Sequence, residues 1–218
     1  MSEVKRKFAT ILATDCVSFS KHMAENEEAT LSSLNSCRAI IDDYIEQHGG
    51  RIFHTAGDSV LAEFASPIET VNCAINFQDR IYERNETLSS NGNDKSLLWR
   101  VGVHCDEVIL ENENVYGNGV NIAARLEAQC SPGQILVSRA INEQVVSRIQ
   151  AISQAAGKKK LKNISDEFEV FSICSEKTTN LGAPPKPTQT QRETKAQKPI
   201  VSILPFKNLN ANEDSAFL

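Results

Sequence analysis

The sequence predicts an α+β fold, a ferredoxin-like sandwich of order βαββαβ with additions, in which helices cover a mainly antiparallel sheet. Three observations predict it. Strand-like and helical patterns alternate along the chain, and one tight hairpin lies between the first two long helices. The 218 residues, of which 40% are hydrophobic, suit one ordinary domain with a short extension.

The first half of the chain supplies a strand, a helix and the hairpin. Phe8 to Asp15 is an apolar run that ends on an acid, which is typical of a buried strand. From Glu27 to Gln47 apolar residues recur at helical spacing, and the His-Gly-Gly that follows supplies a stop. Two short strands, Arg51 to His54 and Ser59 to Phe64, then flank a tight turn that ends on Asp58.

The pattern in the second half of the chain predicts a further alternation of helices and strands. They are, in order, a helix from Pro67 to Arg84, a polar loop from Glu86 to Ser96, a strand from Leu97 to Leu110 with a bend near Cys105-Asp106, a helix from Gly117 to Gln129, a strand from Gln134 to Ser138, a short helix from Arg139 to Arg148 and a last strand from Glu167 to Ile173.

The composition changes abruptly after Cys174. Residues 177–199 are rich in Thr, Gln, Lys and Pro and nearly free of apolar side chains, so they cannot bury enough surface to fold. Strand-like residues return at Ile200 to Phe206. The sequence therefore predicts a folded domain in residues 1–176, a flexible linker in 177–199 and the truncated start of a following domain in 200–218.

Composition and charge favour a small ligand as partner. A net charge of -5 gives no electrostatic reason to expect nucleic acid or an anionic membrane. No stretch approaches the roughly 18 to 20 apolar residues that span a bilayer, and the amino terminus lacks the cleavage site of a secretory leader. The six cysteines form no C-x-x-C pair, which is typical of reduced cytoplasmic thiols. We therefore predict a cytoplasmic protein that binds neither nucleic acid nor a membrane.

Two carboxylates stand at predicted strand and hairpin ends. Asp15 closes the first strand and Asp58 lies in the hairpin turn, each flanked by small residues that let a ligand approach. Magnesium prefers oxygen ligands and usually binds through one or two carboxylates plus substrate phosphates. The two aspartates are therefore a candidate two-metal site. The alternative is that each is an ordinary turn residue, since aspartate is common in turns.

Two further segments carry groups suited to a phosphorylated ligand. Cys16 to Ser20 leads into a helix, where backbone N–H groups bind phosphate well, and Ser20 alternatively suits an N-cap. Asn121 and Arg125 are four residues apart and therefore share one helical face in a stretch otherwise built from Ile, Ala and Leu. An amide and a guanidinium on one face suit a ligand, and a plain solvent-exposed face is the alternative.

In order and spacing these segments resemble the class III adenylate and guanylate cyclases. The resemblance covers Arg6 to Ile173 and is carried by the stretches ATDCVSFS, HGGRIFHTAGDSVLAEFAS, RVGVH, NVYGNGVNIAARLEA, SPGQILVS and LKNISDEFEVFSI. It implies an enzyme that turns a nucleoside triphosphate into a 3′,5′-cyclic nucleotide and pyrophosphate with two divalent cations, Mg or Mn. It also implies a homodimer, in which one subunit supplies the metal-binding aspartates and the other supplies the remaining groups.

The resemblance implies a role for each matching side chain. Asp15 and Asp58 would bind the two metal ions, with the carbonyl of Cys16 as a further ligand. Asn121 would orient the ribose. Arg125 would stabilise the charge that develops at the α-phosphate.

Phosphate contacts are implied at two further places. The backbone of Ser18, Phe19 and Ser20 would face the phosphates, with Ser18 in place of the family's glycine. Lys162 matches the lysine that steadies the terminal phosphates, with asparagine in place of the glycine that follows it in the family. The alternative for Lys162 is one more cation beside lysines 158–160, a predicted solvated hairpin.

The positions that read the base depart from the family's patterns. His54 stands where adenine-selective members have lysine, and Asn114 stands where they have aspartate. The guanine-selective pair, glutamate with cysteine or serine, is also absent. Because a neutral histidine and an amide can each donate or accept a hydrogen bond, they fit more than one base. ATP is the favoured substrate with weak discrimination, and GTP or a pyrimidine triphosphate is the alternative.

Three other features qualify the resemblance. His104-Cys105-Asp106 replaces an H-[ST]-G pattern, which predicts an altered loop. Residues 199–209 resemble the start of a TolB-like segment that follows some bacterial cyclase domains and precedes helical repeats. A competing interpretation is a catalytically silent module for nucleotide binding or dimerisation. Such members usually lose a metal aspartate or the arginine, and this sequence keeps both aspartates and the arginine.

Overall fold

The structure is a computed structural model that describes residues 5–88, 94–162, 164 and 167–178. All of these fall within one compact unit, Met1–Pro184. The second unit, Pro185–Leu218, lies outside the described residues. The linker predicted for 177–199, beyond its first two residues, and the domain start predicted for 200–218 also lie outside them. Those two assignments stay predictions.

Four antiparallel strands form the ferredoxin-like part of the sheet. They are β1 (Lys5–Cys16), β2 (Arg51–Ala56), β3 (Ser59–Phe64) and β4 (Trp99–Glu111). Their order in the sheet is β2-β3-β1-β4, and helices connect β1 to β2 and β3 to β4. This is the βαββαβ order, so the predicted fold class is confirmed.

Three helices connect these strands: α1 (Phe19–Glu25), α2 (Glu27–Gln47) and α3 (Pro67–Leu88). The last of them continues past its predicted end at Arg84. Asn85 is buried, and its side-chain amide donates a hydrogen bond of 2.8 Å to the carbonyl of Leu97, so the helix stays packed against the segment that leads into β4. The predicted polar loop therefore begins later than Glu86.

The remaining elements extend the sheet beyond β4. They are β5 (Asn114–Tyr116), α4 (Asn118–Ala128), β6 (Ile135–Ser138), α5 (Arg139–Val145), β7 (Ile152–Lys160) and β8 (Glu167–Cys174). Strand β6 pairs in parallel with β4 after the crossover through α4, and the order continues β4-β6-β8-β7. The short strand β5 pairs only with β4 among the described strands and was not predicted.

The solvated hairpin predicted at lysines 158–160 is confirmed: these residues end strand β7, which pairs antiparallel with the next strand, β8, and Lys158 and Lys160 are exposed. Lys158 stands opposite Glu169 and Lys160 stands opposite Glu167 on β8. Opposite charges in cross-strand pairs stabilise a sheet, and lysines on an edge strand discourage pairing with other chains. The basic run is therefore compatible with a strand.

The bend predicted near Cys105-Asp106 is wrong. Strand β4 pairs continuously with β1 through this point. Asp106 fits beside helix α4 because Gly119 has no side chain there: a Cβ on Gly119 would lie 2.6 Å from the Cβ of Asp106. The departure from the H-[ST]-G pattern therefore lies within a regular strand and alters no loop.

Side chains on the two faces of β1 pack against different helices of the sandwich. Leu12 and Cys16 pack in the core beneath α2 and α3, whereas Ile11 and Ala13 pack in the cluster that α4 covers. Because side chains alternate along a strand, Asp15 emerges on the α4 side. Helix α4 lies close to the sheet at this end, since a Cβ on Gly102 of β4 would lie 2.2 Å from the backbone of α4.

Candidate active site

Asp15 and Asp58 meet at one end of the sheet. Asp15 is the penultimate residue of β1, and Asp58 lies in the turn between β2 and β3. The backbone N–H of Cys16 donates a hydrogen bond of 3.1 Å to Oδ2 of Asp58, which ties the two segments together. Burial raises the pKa of Asp58, and the negative charge of Asp15 adds to the rise. The structure thus brings together two carboxylates predicted from sequence.

This pair fits divalent cations by the chemistry of its donors. The two negative carboxylates repel each other, and they supply the hard oxygen ligands that Mg²⁺ prefers. Mg²⁺ usually takes no more than two carboxylate ligands from the protein. In the part of the chain that the structure describes, no cluster of three or more His, Cys, Asp or Glu side chains could hold a metal ion. Burial raises the pKa of the Cys16 thiol to about 12, so this residue could offer its carbonyl oxygen but not a thiolate.

Arg100 is a member of this site that the sequence reasoning missed. It stands opposite Asp15 in the pairing of β1 with β4. Its Nη2 donates a hydrogen bond of 3.1 Å to Oδ1 of Asp15 and lies 3.1 Å from Oε1 of Glu127. The guanidinium therefore offsets part of the negative charge of Asp15 and Glu127 at this end of the sheet. The RVGVH stretch contains Arg100, and the register of two strands far apart in sequence was needed to place it.

Glu127 is the second residue that was missed. It lies near the end of α4 and is buried, where its carboxylate faces Arg100. Burial raises the pKa of Glu127 to about 7, with a further contribution from the charge of Asp15, and Arg100 opposes the rise. The candidate site thus holds three carboxylates and one guanidinium.

The segment after β1 turns sharply into α1. Ser18 is the N-cap and adopts a left-handed backbone with φ 56°, the region that glycine favours, without a side-chain capping bond. Phe19 packs partly against the main core, and Ser20 is exposed within the first turn. The N-cap alternative for Ser20 is wrong, because Ser18 occupies that position. The three residues lie directly after the end of β1 that carries Asp15.

Asn121 and Arg125 lie on α4, away from its buried stripe. Ile122 and Leu126 pack inward, while Asn121 is exposed and Arg125 is half-buried. Among the described residues neither side chain makes a hydrogen bond or an ion pair. The helix therefore presents a free amide and a free guanidinium to whatever covers this surface. Lys162 is exposed in a turn directly after β7.

The two candidate base-reading residues lie on neighbouring hairpins. His54 is exposed on β2, next to an irregularity in its pairing with β3. Asn114 begins β5, where its Oδ1 accepts a hydrogen bond of 3.0 Å from the N–H of Val115 and its Nδ2 donates one of 3.3 Å to the hydroxyl of Tyr116. Asn114 is thus held by its own strand.

The match to a protein family agrees with this geometry. Residues 3–179 match the family model of the adenylate and guanylate cyclase catalytic domain. The chain belongs to this family. The matched residues include Asp15, Asp58, Asn121, Arg125 and Lys162.

Relatives with known names and structures support the assignment. A protein of Rhizobium meliloti (strain 1021), "Putative adenylate cyclase 3", is 30% identical over 219 residues, which is 98% of this chain. The crystal structure of an adenylate/guanylate cyclase/hydrolase from Silicibacter pomeroyi is 31% identical with a TM-score of 0.73 and covers 80% of this chain and 100% of that chain. The adenylyl cyclase CyaB from P. aeruginosa, at 21% identity, shares the fold with a TM-score of 0.72 over 79% of this chain and 96% of that chain.

The match covers only part of the longer relatives. The chain spans 36% of the length of the Rhizobium meliloti protein. Of the helices within the described residues, none is long and apolar enough to cross a membrane.

Proposed function

We propose that this chain is a cyclase catalytic domain that converts ATP into 3′,5′-cyclic AMP and pyrophosphate, as an adenylate cyclase in second-messenger signalling. The observation that carries the proposal is that Asp58, bonded to the N–H of Cys16, lies at the same end of the sheet as Asp15 in a chain of the cyclase family, since two carboxylates there suit a two-metal site. In this reaction the ribose 3′-oxygen bonds to the α-phosphorus, the bond from that phosphorus to the bridging oxygen breaks, and the hydroxyl proton leaves to solvent.

Asp15, Asp58 and the Cys16 carbonyl would hold two divalent cations, Mg or Mn. When bound, such cations stabilise the attacking 3′-oxygen and the leaving pyrophosphate. Ser18, Phe19 and Ser20 would turn backbone amides toward the phosphates, since a left-handed residue lets the chain wrap around an anion. The chain's own contribution is positioning and charge, which account for most of the catalysis of phosphoryl transfer.

We propose that each site is shared between two copies of the chain. Asn121 and Arg125 are unpaired among the described residues and lie on the surface of α4, so they can reach a ligand held by a second subunit. In a twofold homodimer the same surface meets itself, which gives two equivalent sites. Asn121 would orient the ribose, Arg125 would stabilise charge at the α-phosphate, and Lys162 would steady the terminal phosphates.

For the base, the proposal is ATP with weak discrimination through His54 and Asn114. The relative named as an adenylate cyclase supports ATP over GTP or a pyrimidine triphosphate. Neither side chain carries a fixed charge to reject the wrong base. The assignment of residues 1–176 as the catalytic domain, the cytoplasmic location and the lack of nucleic-acid or membrane partners remain predictions.

One experiment tests the function directly. The purified chain is incubated separately with the four ribonucleoside triphosphates and Mn²⁺, and cyclic products are identified by mass. We expect cyclic AMP as the main product, and a parallel Asp58→Asn preparation excludes a contaminating cyclase. If no triphosphate yields a cyclic product, the silent-module alternative replaces this proposal.

A further inference from the structure

Arg51, the first residue of β2, makes contacts that play no part in the proposed binding of metal, phosphate, ribose or base. Its Nε donates a hydrogen bond of 2.7 Å to Oε1 of Glu63, and its Nη1 donates one of 2.6 Å to the backbone oxygen of Glu113. Glu63 in β3 is 5% exposed, and its Oε2 lies 2.8 Å from Nζ of Lys7. Because a buried carboxylate needs compensating charge, Glu63 anchors the guanidinium in place.

The second partner of Arg51 lies in an unusual turn. Glu113 belongs to the turn between β4 and β5, where Asn112 and Glu113 have φ of 49° and 64°. Residues with a Cβ rarely adopt this left-handed region, and glycine commonly takes the second position of such two-residue hairpin turns. Asn112 suits this region, but Glu113 stands where glycine is favoured, and the guanidinium of Arg51 holds its carbonyl.

We propose that Arg51 is a positioning residue for base selection. It fixes the carbonyl of Glu113, and thereby Asn114, relative to strand β2, which carries His54. The inference rests on the proposed function, since it takes His54 and Asn114 as the groups that read the base. Arginine suits the task because its rigid fork bonds Glu63 and Glu113 at the same time, whereas a lysine ammonium is a single point charge.

Lys7 provides a matched control on the same carboxylate. Arg51→Met removes one cation from Glu63 and also releases the turn. Lys7→Met removes the other cation, and among the described residues Lys7 forms no hydrogen bond or ion pair with the turn. If Arg51 only compensates a buried charge, the two variants should behave alike. If Arg51 positions Asn114, only Arg51→Met should alter the choice of base.

The kinetic test compares KM and kcat for ATP and GTP in the wild type and both variants. For Arg51→Met we expect KM for ATP to rise about fivefold with kcat changed by less than about twofold, and the ATP-to-GTP ratio of kcat/KM to shift at least about threefold. Lys7→Met should leave that ratio unchanged, and Arg51→Lys should restore it only in part. In an Asn114→Ala background the Arg51→Met change should no longer shift the ratio.

Two readouts do not depend on turnover. Fluorescent N-methylanthraniloyl ATP and GTP report binding, and hydrogen exchange reports the amides of residues 113–115. Arg51→Met should change the ratio of the two dissociation constants and speed exchange in the turn, and Lys7→Met should do neither. If the wild type makes no cyclic product but these readouts separate the variants, the proposed reaction fails while the role of Arg51 stands.

Three results would overturn the proposal. Equal shifts of base preference in Arg51→Met and Lys7→Met would assign the effect to the charge of Glu63. An unchanged preference in Arg51→Met, with melting showing a folded protein, would make the contact with Glu113 incidental. Binding of neither nucleotide by the wild type would remove the base-reading site itself.

Discussion

Asp58 and Asn121 lie in two regions that this chain holds in very different ways. Asp58 is half-buried and accepts the N–H of Cys16, and its neighbour Asp15 is paired with Arg100. Asn121 is exposed on α4 and has no partner among the described residues. The first region is organised by the chain's own contacts, while the second presents polar groups that a ligand or another subunit must engage.

This difference separates what one chain can do from what two chains can do. A preorganised set of charges stabilises a transition state at little further cost, because its groups need not rearrange. Free polar groups on a helix surface contribute only once something covers them. We therefore expect a substitution near Asp15 and Asp58 to act through the charges of its own chain, and one on the α4 surface to act through the group that covers it.

The largest expected effect comes from breaking the organised region. Asp58→Asn keeps the size of the side chain and can still accept the N–H of Cys16 through its amide oxygen, but it removes one of two anionic ligands. Turnover with Mn²⁺ and ATP should fall at least about a hundredfold, while the melting temperature should change little.

The control for this prediction is Asp43→Asn, an aspartate exposed on α2. It makes the same chemical change far from both candidate regions and should keep full activity. A fully active Asp58→Asn protein would show that Asp58 is not a metal ligand.

The second prediction joins the two regions across subunits. Asp15→Ala and Arg125→Ala homodimers should each be nearly inactive, because each breaks both sites of its dimer. Mixing them should restore about a quarter of the wild-type activity, since half the dimers are mixed and each mixed dimer has one intact site. Activity is measured after subunit exchange has been confirmed by energy transfer between labelled chains.

A matched pair of variants provides the negative control. Mixing Asp15→Ala with Asp58→Asn changes the same region in both chains, so no mixed dimer has an intact site and activity should stay near zero. If neither mixture recovers activity despite exchange, the two regions act within one chain.

Short-range signals predict the strand and the turn that carry the two aspartates of the organised region. An apolar strand that ends on Asp15 and a glycine turn that carries Asp58 are local patterns, and adjacent strands bring them together. The bounds of strand Ser59–Phe64 and of helix Glu27–Gln47 were predicted as observed, whereas the first strand of the hairpin continues past its predicted end at His54 to Ala56. The exposed face with Asn121 and Arg125 followed from helical spacing alone.

The features that were missed depend on long-range register. Arg100 reaches Asp15 only through the pairing of β4 with β1, and Glu127 reaches Arg100 only because α4 packs closely over Gly102. The bounds of strand β7 were not predicted, because its exposed, lysine-rich sequence lacks an apolar alternation and its pairing with β8 defines it. No local pattern in the sequence contains these pairings.

The stability of the organised region should depend on pH through Glu127. The folded chain raises the pKa of Glu127 from 4.5 to about 7, so between these values the folded state holds a proton that the unfolded state has lost. The free energy of unfolding should therefore fall as pH rises through this window. In Glu127→Gln that fall should be absent, a difference of at most about 3 kcal/mol.

The difference is measured by denaturant unfolding of the wild type and Glu127→Gln with a chelator present. The measurements run from about pH 4 to 8, a range that brackets the folded and unfolded pKa values of Glu127. Contributions from Asp58, whose pKa is also raised, are common to both proteins and largely cancel. Glu86→Gln, at an exposed site on α3, should follow the wild type. Parallel curves for Glu127→Gln and wild type would mean that Glu127 titrates as an ordinary carboxyl.

The smallest expected effect is on the choice of nucleotide base, which we assign to His54 and Asn114, outside both of these regions. His54→Lys with Asn114→Asp introduces the charged pair of the family's adenine-selective members. The fold should tolerate it, because an aspartate at 114 can still accept the N–H of Val115 and can accept the hydroxyl of Tyr116.

In the wild type, GTP should be a detectable minor substrate or a competitive inhibitor, because His54 and Asn114 can each donate or accept. The double variant should raise the ATP-to-GTP ratio of kcat/KM about tenfold or more, equivalent to about 1.4 kcal/mol, since GTP would then leave both introduced charges without partners in the complex. The ratio is measured for both proteins under identical Mn²⁺. A wild type already strict for ATP, or one that prefers GTP or a pyrimidine triphosphate, would place base recognition on residues other than these two.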